Sequence, residues 1–260
     1  MRVTKYSANG NDFVIFHTFV KEDRAILAKK LCHRQNGIGA DGLIVLLPHN
    51  EYDFQANQAN QSNIDFEWQF YNSDGSTASM CGNGSRACAH YAYMNELAQN
   101  EMKFLTGAGV IGAVVDEEMV LSELTPPKII DREILENAKS WWLLDTGVPH
   151  LVHFTDDITR FDIKEARELR YKYNANINIA FVDGKNLRVR TYERGVEDET
   201  LACGTGMAAS FFMAYSQKIV GNNIEVYPAS GETLYLGVNE RTITFKGRVK
   251  RVFSTEIDAF

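Results

Sequence analysis

The sequence predicts a strand-rich α/β (α+β) chain of two similar units, each with mixed strands around one main helix. Three observations carry that expectation. The segment Cys81–Tyr93, which opens Cys-Gly-Asn-Gly, recurs as Cys203–Tyr215, which opens Cys-Gly-Thr-Gly. Six of the thirteen aligned positions are identical at an offset of 122 residues, about half of the 260-residue chain. A strand-like run lies upstream of each copy: Ile64–Tyr71 before the first, Leu187–Tyr192 before the second. Finally, 260 residues suits one large domain or two of about 130.

Taken in order, Phe13–Phe19 reads as a strand and Asp23–Cys32 as a helix, with Leu27, Leu31 and Cys32 in its apolar pattern. Leu43–Leu47 and Ile64–Tyr71 follow as strands, the second alternating with period two. Arg86–Asn95 is an Ala- and aromatic-rich stretch without Gly or Pro, read as a helix. Val110–Val115 and Trp142–Leu144 are strands, Ile163–Leu169 a helix, Leu187–Tyr192 a strand and Met207–Ser216 a helix. The strands Ile224–Tyr227, Thr233–Val238, Thr242–Lys246 and Val249–Ser254 complete the chain. Leu124-Thr125-Pro126-Pro127-Lys128 holds the only double proline and marks a junction. It separates domain 1–124, with Cys81, from domain 125–260, with Cys203, leaving room for the last strand to pack back onto the first domain. The polar, low-complexity run Asn57–Asn63 reads as a hairpin insertion without a chemical role.

Composition excludes several classes. Hydrophobic residues make 45% and charged residues 23%, an ordinary globular balance that argues against a disordered chain. The net charge is −7 and no basic tract supports a nucleic-acid surface. No run of about 18 apolar residues offers a membrane span. The start, Met1-Arg2-Val3-Thr4-Lys5-Tyr6-Ser7, has no apolar signal core, so a cytoplasmic location is expected. The four cysteines, Cys32, Cys81, Cys88 and Cys203, are too sparse for a disulfide scaffold. They and the six scattered histidines lack ligand spacing, so no metal site is expected.

The repeated Cys-Gly-x-Gly carries chemistry. A helix start leaves backbone N–H groups without intrahelical partners, and its dipole favours negative charge. Glycines let those groups close on a carboxylate, here around Gly82–Gly84 and Gly204–Gly206. A cysteine at the same place has its thiol pKa lowered. Two such thiols facing one ligand can remove a proton from carbon on one face and return one on the other, inverting a stereocentre. Cys32 and Cys88, by contrast, read as small buried apolar side chains. Glu193-Arg194 and Asn72-Ser73-Asp74-Gly75-Ser76 offer charge and polarity for a small polar ligand, or equally a surface ion pair and a turn.

At these residues the chain resembles the diaminopimelate epimerase family. The matching pieces run along nearly the whole chain. They are Gly10-Asn11-Asp12-Phe13, Gly37-Ile38-Gly39-Ala40-Asp41-Gly42, Asn72–Ser76, Cys81–Arg86, Gly147-Val148-Pro149-His150, Asn178-Ile179-Ala180-Phe181, Glu193-Arg194-Gly195 and Thr200–Gly206. The resemblance implies two pseudo-symmetric domains, each of mixed strands wrapped around a central helix, with the active site in the cleft between them. It implies epimerisation of LL-2,6-diaminopimelate to the meso form, without pyridoxal phosphate or any other cofactor, for lysine and peptidoglycan precursor synthesis. It also implies a homodimer. Carried over, Cys81 and Cys203 are the acid/base pair. Gly82, Asn83, Gly204 and Thr205 hold the carboxylate at the reacting carbon, and Asn11 walls that end. Asn72, Asn178, Glu193 and Arg194 hold the distal carboxylate and ammonium. His150 and Glu193 assist thiol deprotonation from behind.

Three departures bear on specificity. Val148 stands where the family often has Asn, Gly42 where many members have Gln, and Val196–Thr200 is one residue longer than the commoner form. They keep open a related cofactor-independent racemase of the proline, hydroxyproline or histidine type. A two-lobed amino-acid-binding protein without catalysis is the alternative from another class; it would need no matched cysteines.

Overall fold

The computed structural model describes residues 1–49, 63–239 and 242–258. The polar insertion at 57–63 lies, but for Asn63, outside the described residues. The chain divides into two compact units, Met1–Ser122 with Gly247–Phe260, and Glu123–Lys246. Among the described residues, no helix is long and apolar enough to cross a membrane.

The first unit is built from β1 (Arg2–Ala8), β2 (Asn11–His17), α1 (Ala25–Cys32), β3 (Gly42–Pro48), β4 (Phe66–Asn72), α2 (Gly82–Met94), β5 (Glu101–Thr106), β6 (Gly109–Asp116) and β7 (Met119–Glu123). The second is built from β8 (Lys128–Glu136), β9 (Lys139–Asp145), β10 (Pro149–Phe154), α3 (Ile163–Tyr173), β11 (Asn176–Asp183), β12 (Asn186–Glu193), β13 (Asp198–Thr200), α4 (Gly204–Ser216), β14 (Asn223–Tyr227), β15 (Leu234–Asn239) and β16 (Thr242–Arg248). The last strand, β17 (Lys250–Glu256), belongs to the first unit.

The two units share one topology. In the first, strands pair in the order β17-β1-β2-β3-β4-β5-β6-β7; β2–β3 and β4–β5 are parallel and the other pairs antiparallel. In the second, the order β8-β9-β10-β11-β12-β14-β15-β16 repeats the same directions, with β10–β11 and β12–β14 parallel. Each parallel pair is bridged by a helix, as a crossover requires: α1 and α3 in the first bridge, α2 and α4 in the second. The recurring Cys-Gly-x-Gly segment is therefore one part of a duplication that runs through each unit. The duplication is closed differently at one edge, where β17 takes in the first unit the place that β8 takes in the second.

Strand alternation sorts side chains between the two helices of each unit. In the first, Phe13, Ile15, Ile44 and Leu46 pack with α2, while Val14, Phe16, Leu43 and Val45 pack with α1. Covered on both faces, β3 reads as a continuous apolar run, Gly-Leu-Ile-Val-Leu-Leu-Pro. In the second, Leu151, Ile177, Ile179 and Tyr192 join the α3 cluster, while Leu144 and Val152 join Ala209 and Met213 of α4. Period-two alternation then sends His150, Asn176, Asn178 and Thr191 to the α4 side.

Both long helices begin earlier than their apolar runs predict. α2 starts at Gly82 and α4 at Gly204 rather than at Arg86 and Met207. Glycine is a poor helix former, which hides these first turns in the sequence, but burial of both starts, with the Cys81 cap on α2, outweighs its cost of about 1 kcal/mol. Strands β1, β5, β7, β8, β10, β11 and β13 are not expected from the sequence. Many of them owe their state to neighbours distant in the chain; Arg2 of β1, for example, pairs with Glu256.

Candidate active site

Cys81 is the residue from which α2 hangs. Its backbone is extended, at φ −149° and ψ 113°, and its sulfur accepts from the Gly84 N–H at 3.3 Å. A sulfur that accepts from a helix N–H is favoured as thiolate, and the dipole adds to this. The thiol is half-buried.

Behind it a polar chain holds the first turn. Asn83 donates through Nδ2 to Asn11 Oδ1 at 2.8 Å, while Arg86 Nη2 donates to Asn83 Oδ1. Arg86 is fully buried and also donates through Nη1 to Asn9 Oδ1 at 2.6 Å. Asn11 donates through Nδ2 to Asp41 Oδ2 at 3.1 Å. Asp41 is held in turn by Arg34 at 2.7 Å, and Arg34 also pairs with Asp12 at 3.1 Å. Burial raises the Asp12 carboxyl, but hydrogen bonds from Arg34 and Lys5 outweigh it and hold the pKa below the ordinary value. Asn72, at the end of β4, donates to Ser76 Oγ at 2.9 Å in a turn ordered by Asp74. Asn9, Arg34 and the Asp41 carboxylate are supports that sequence reasoning did not single out. The tract Gly37–Gly42 held part of that signal.

Gly42 explains one departure from the family pattern. A Cβ there would stand 2.7 Å from Phe70 Cε2 and 2.9 Å from the Tyr71 carbonyl oxygen. Phe70 fills the space that a larger residue would need.

Cys203 holds the matching place in the second unit, extended at φ −118° and ψ 106° before α4, and is 7% exposed. Its sulfur lies 3.5 Å from Thr205 Oγ1. Thr205 Oγ1 lies 2.9 Å from His150 Nε2, and the Thr205 carbonyl accepts from Thr146 Oγ1 at 2.9 Å. His150 is fully buried, which drives its pKa down to about 3, with the Arg194 charge acting in the same direction. It is a neutral imidazole at physiological pH.

Asn178 is also fully buried, and its side chain meets His150, Thr191 and the Leu151 carbonyl. The resemblance places it on the distal end of a ligand; in the structure its amide is hydrogen-bonded behind α4. A Cβ on Gly206 would stand 2.3 Å from Asn178 Oδ1, so this close approach of helix to strand needs glycine there. Arg194, half-buried, donates through Nη1 to the Asn174 carbonyl at 3.0 Å and through its backbone N–H to Asn176 Oδ1 at 2.7 Å. Glu193 ends β12 opposite Asp198. The longer segment after it forms the β12–β13 turn, with Glu197 tied to Arg170 of α3 at 2.6 Å.

Cys32 and Cys88 are buried in the first unit's two cores. Burial pushes Cys32 up to about 12 and raises Cys88 well above the ordinary thiol range, so both stay protonated. Among the described residues, no group of three or more His, Cys, Asp or Glu side chains is placed to hold a metal ion.

The class is thus a duplicated α+β fold whose two equivalent long helices each open on a cysteine. A probable proline racemase from Agrobacterium radiobacter K84 shares this fold, with a TM-score of 0.74 at 13% identity over 99% of this chain and 92% of that one. The family model described as diaminopimelate epimerase matches residues 3–130 and 142–252. A protein of a Nitratiruptor species named diaminopimelate epimerase is 60% identical over 256 residues, 98% of each chain. One of the same name from Campylobacter jejuni serotype O:2 is 48% identical over the full length of both. The chain belongs to the diaminopimelate epimerase family.

Proposed function

We propose that this chain interconverts LL- and meso-2,6-diaminopimelate by a two-base mechanism at one α-carbon. One thiolate, Cys81 or Cys203, removes the α-proton, and the thiol of the other delivers a proton to the opposite face. The observation that carries this reading is the cysteine at the same topological position of both units, each at the start of a long helix. The N–H groups of Gly82, Asn83, Gly204 and Thr205 receive the α-carboxylate, where helix dipoles stabilise the charge that develops as the proton leaves. The chemistry needs no pyridoxal phosphate, because the site itself supplies acid, base and anion stabilisation.

Cys81 with the helix start at Gly82 and Asn83 comes from the first unit and Cys203 with the helix start at Gly204 and Thr205 from the second, the two domains being divided near residue 124. Asn11 walls the reacting end; Asn72, Glu193 and Arg194 provide polarity for the distal ammonium and carboxylate. A site with fixed polar groups rejects ligands that leave them unpaired, so single-ended amino acids should react poorly. We place the enzyme in the cytoplasm as a homodimer serving lysine and peptidoglycan precursor synthesis, on the strength of its family.

The test is solvent deuterium. In D₂O, LL- and meso-diaminopimelate should exchange an α-hydrogen and interconvert, while proline, histidine and glutamate should not. Faster exchange of histidine or proline would overturn the substrate. No exchange into any amino acid would favour a binding protein.

A further inference from the structure

The polar side chains behind the second helix start have a direction. Asn178 Oδ1 accepts from Thr191 Oγ1 at 2.8 Å, and Nδ2 faces the carbonyl oxygens of Leu151 at 3.2 Å and Asn176 at 3.4 Å. Those carbonyls can only accept, so the amide orientation is set by the backbone. His150 Nδ1, 3.0 Å from Nδ2, therefore accepts. A neutral imidazole has one proton, which then sits on Nε2.

Nε2 donates to Thr205 Oγ1 at 2.9 Å. The amide nitrogen of Asn176, a donor because its Oδ1 accepts from the Arg194 N–H, also approaches Nε2, but at 3.4 Å; a neutral ring has one acceptor nitrogen, and the 3.0 Å contact at Nδ1 is the stronger. A hydroxyl that accepts from His150 keeps its own proton to give, and the Cys203 sulfur is 3.5 Å away.

The geometry points to Asn178 as a positioning residue that fixes the His150 tautomer and so makes Thr205 a hydrogen-bond donor to the Cys203 thiolate. His150 does not take the Cys203 proton through Thr205, since the atom facing Thr205 already carries one. It holds the hydroxyl ready to stabilise the thiolate. Burial keeps the ring neutral, and the Arg194 charge acts in the same direction. The inference rests on Cys203 being a working thiol, as proposed above, and is independent of which amino acid is the substrate.

The test reads the thiol directly. Alkylation of Cys203 by iodoacetamide, followed on its peptide by mass spectrometry across pH, gives the midpoint of thiolate formation. Thr205→Val should raise that midpoint by about one to two pH units, the value of a lost hydrogen bond to a charged group. Thr205→Ser should restore it. Asn178→Ala should move it in the same direction as Thr205→Val, and the double variant no further than Thr205→Val alone. In ¹⁵N-histidine spectra of the unaltered protein, His150 should be the Nε2–H tautomer.

An Nδ1–H tautomer, an unmoved midpoint in Thr205→Val, or additive shifts in the double variant would each overturn the inference. Should Asn178→Ala fail to fold, the Thr205 pair and the tautomer still decide. Expected alkylation shifts without diaminopimelate turnover would sink the proposed substrate and leave the relay standing.

Discussion

Arg86 donates to Asn9 Oδ1 at 2.6 Å and, through its other terminal nitrogen, to Asn83 Oδ1, with all three side chains buried. One guanidinium thus ties the first turn of α2 to the β1–β2 turn. A planar fork can serve two acceptors in fixed directions, which a lysine cannot copy. Arg86→Lys should therefore cost about 2–4 kcal/mol in urea unfolding and slow epimerisation, because Asn83 loses the group that aims it. Unchanged stability would mean that the β1–β2 turn is held by other contacts.

The four cysteines should separate into two pairs. Cys81→Ala and Cys203→Ala should each lower turnover by at least about 10²–10⁴-fold, the usual contribution of a positioned acid or base. Cys32→Ala and Cys88→Ala should keep most activity, since burial holds both as thiols. Peptide mapping after iodoacetamide at pH 8 should find label on Cys81 and Cys203 and little on the others. Strong turnover by Cys203→Ala would rule out two-base chemistry.

Gly42 tests whether a family departure is packing or specificity. Gly42→Gln would drive its Cβ against Phe70 and the Tyr71 carbonyl. Overpacking of this kind costs roughly 1–3 kcal/mol, so Tm should fall. The double change Gly42→Gln with Phe70→Leu should recover part of the loss. A rise in Tm for the single variant would contradict the packing account.

Gly206→Ala should act on the chemistry through Asn178. The new methyl would meet Asn178 Oδ1 and Thr191 Oγ1, so helix and strand must part or the amide must turn. We expect loss of about 1–3 kcal/mol and a slower kcat, with a smaller change in KM. Kinetics and thermal melts on the same preparation check both.

His150 makes stability fall in acid. The folded pKa, about 3, lies below the unfolded value of about 6.5, so the unfolded chain binds the extra proton. The stabilisation is complete above about pH 6.5 and is lost progressively as pH falls toward 3, by on the order of a few kcal/mol in all. Urea midpoints measured from pH 7 to 4.5, above most carboxylate titration, should fall more steeply for the native chain than for His150→Gln. Parallel slopes would show that His150 is accessible to protons in the folded state.

The sequence alone determined the duplication and the two cysteines that open its long helices. A helix start that needs glycines beside a thiol is a local pattern, and local patterns survive in one dimension. The apolar run of β3 and the alternation of β12 are local in the same sense. Tertiary structure decided the rest. Arg2 of β1 meets Glu256 only because the last strand returns to the first unit, and no propensity in either segment signals that pairing. Asn9, Asp41, Thr191 and Asn176 look like ordinary turn and strand residues until pairing across the sheet brings them behind the helix starts. Asn178 could be quoted from its motif, but whether its amide faces a ligand or His150 depends on strand register. Register is a long-range property: Asn178 lies beside Val152 on one side and Thr191 on the other, and a shift of one residue would turn it to α3.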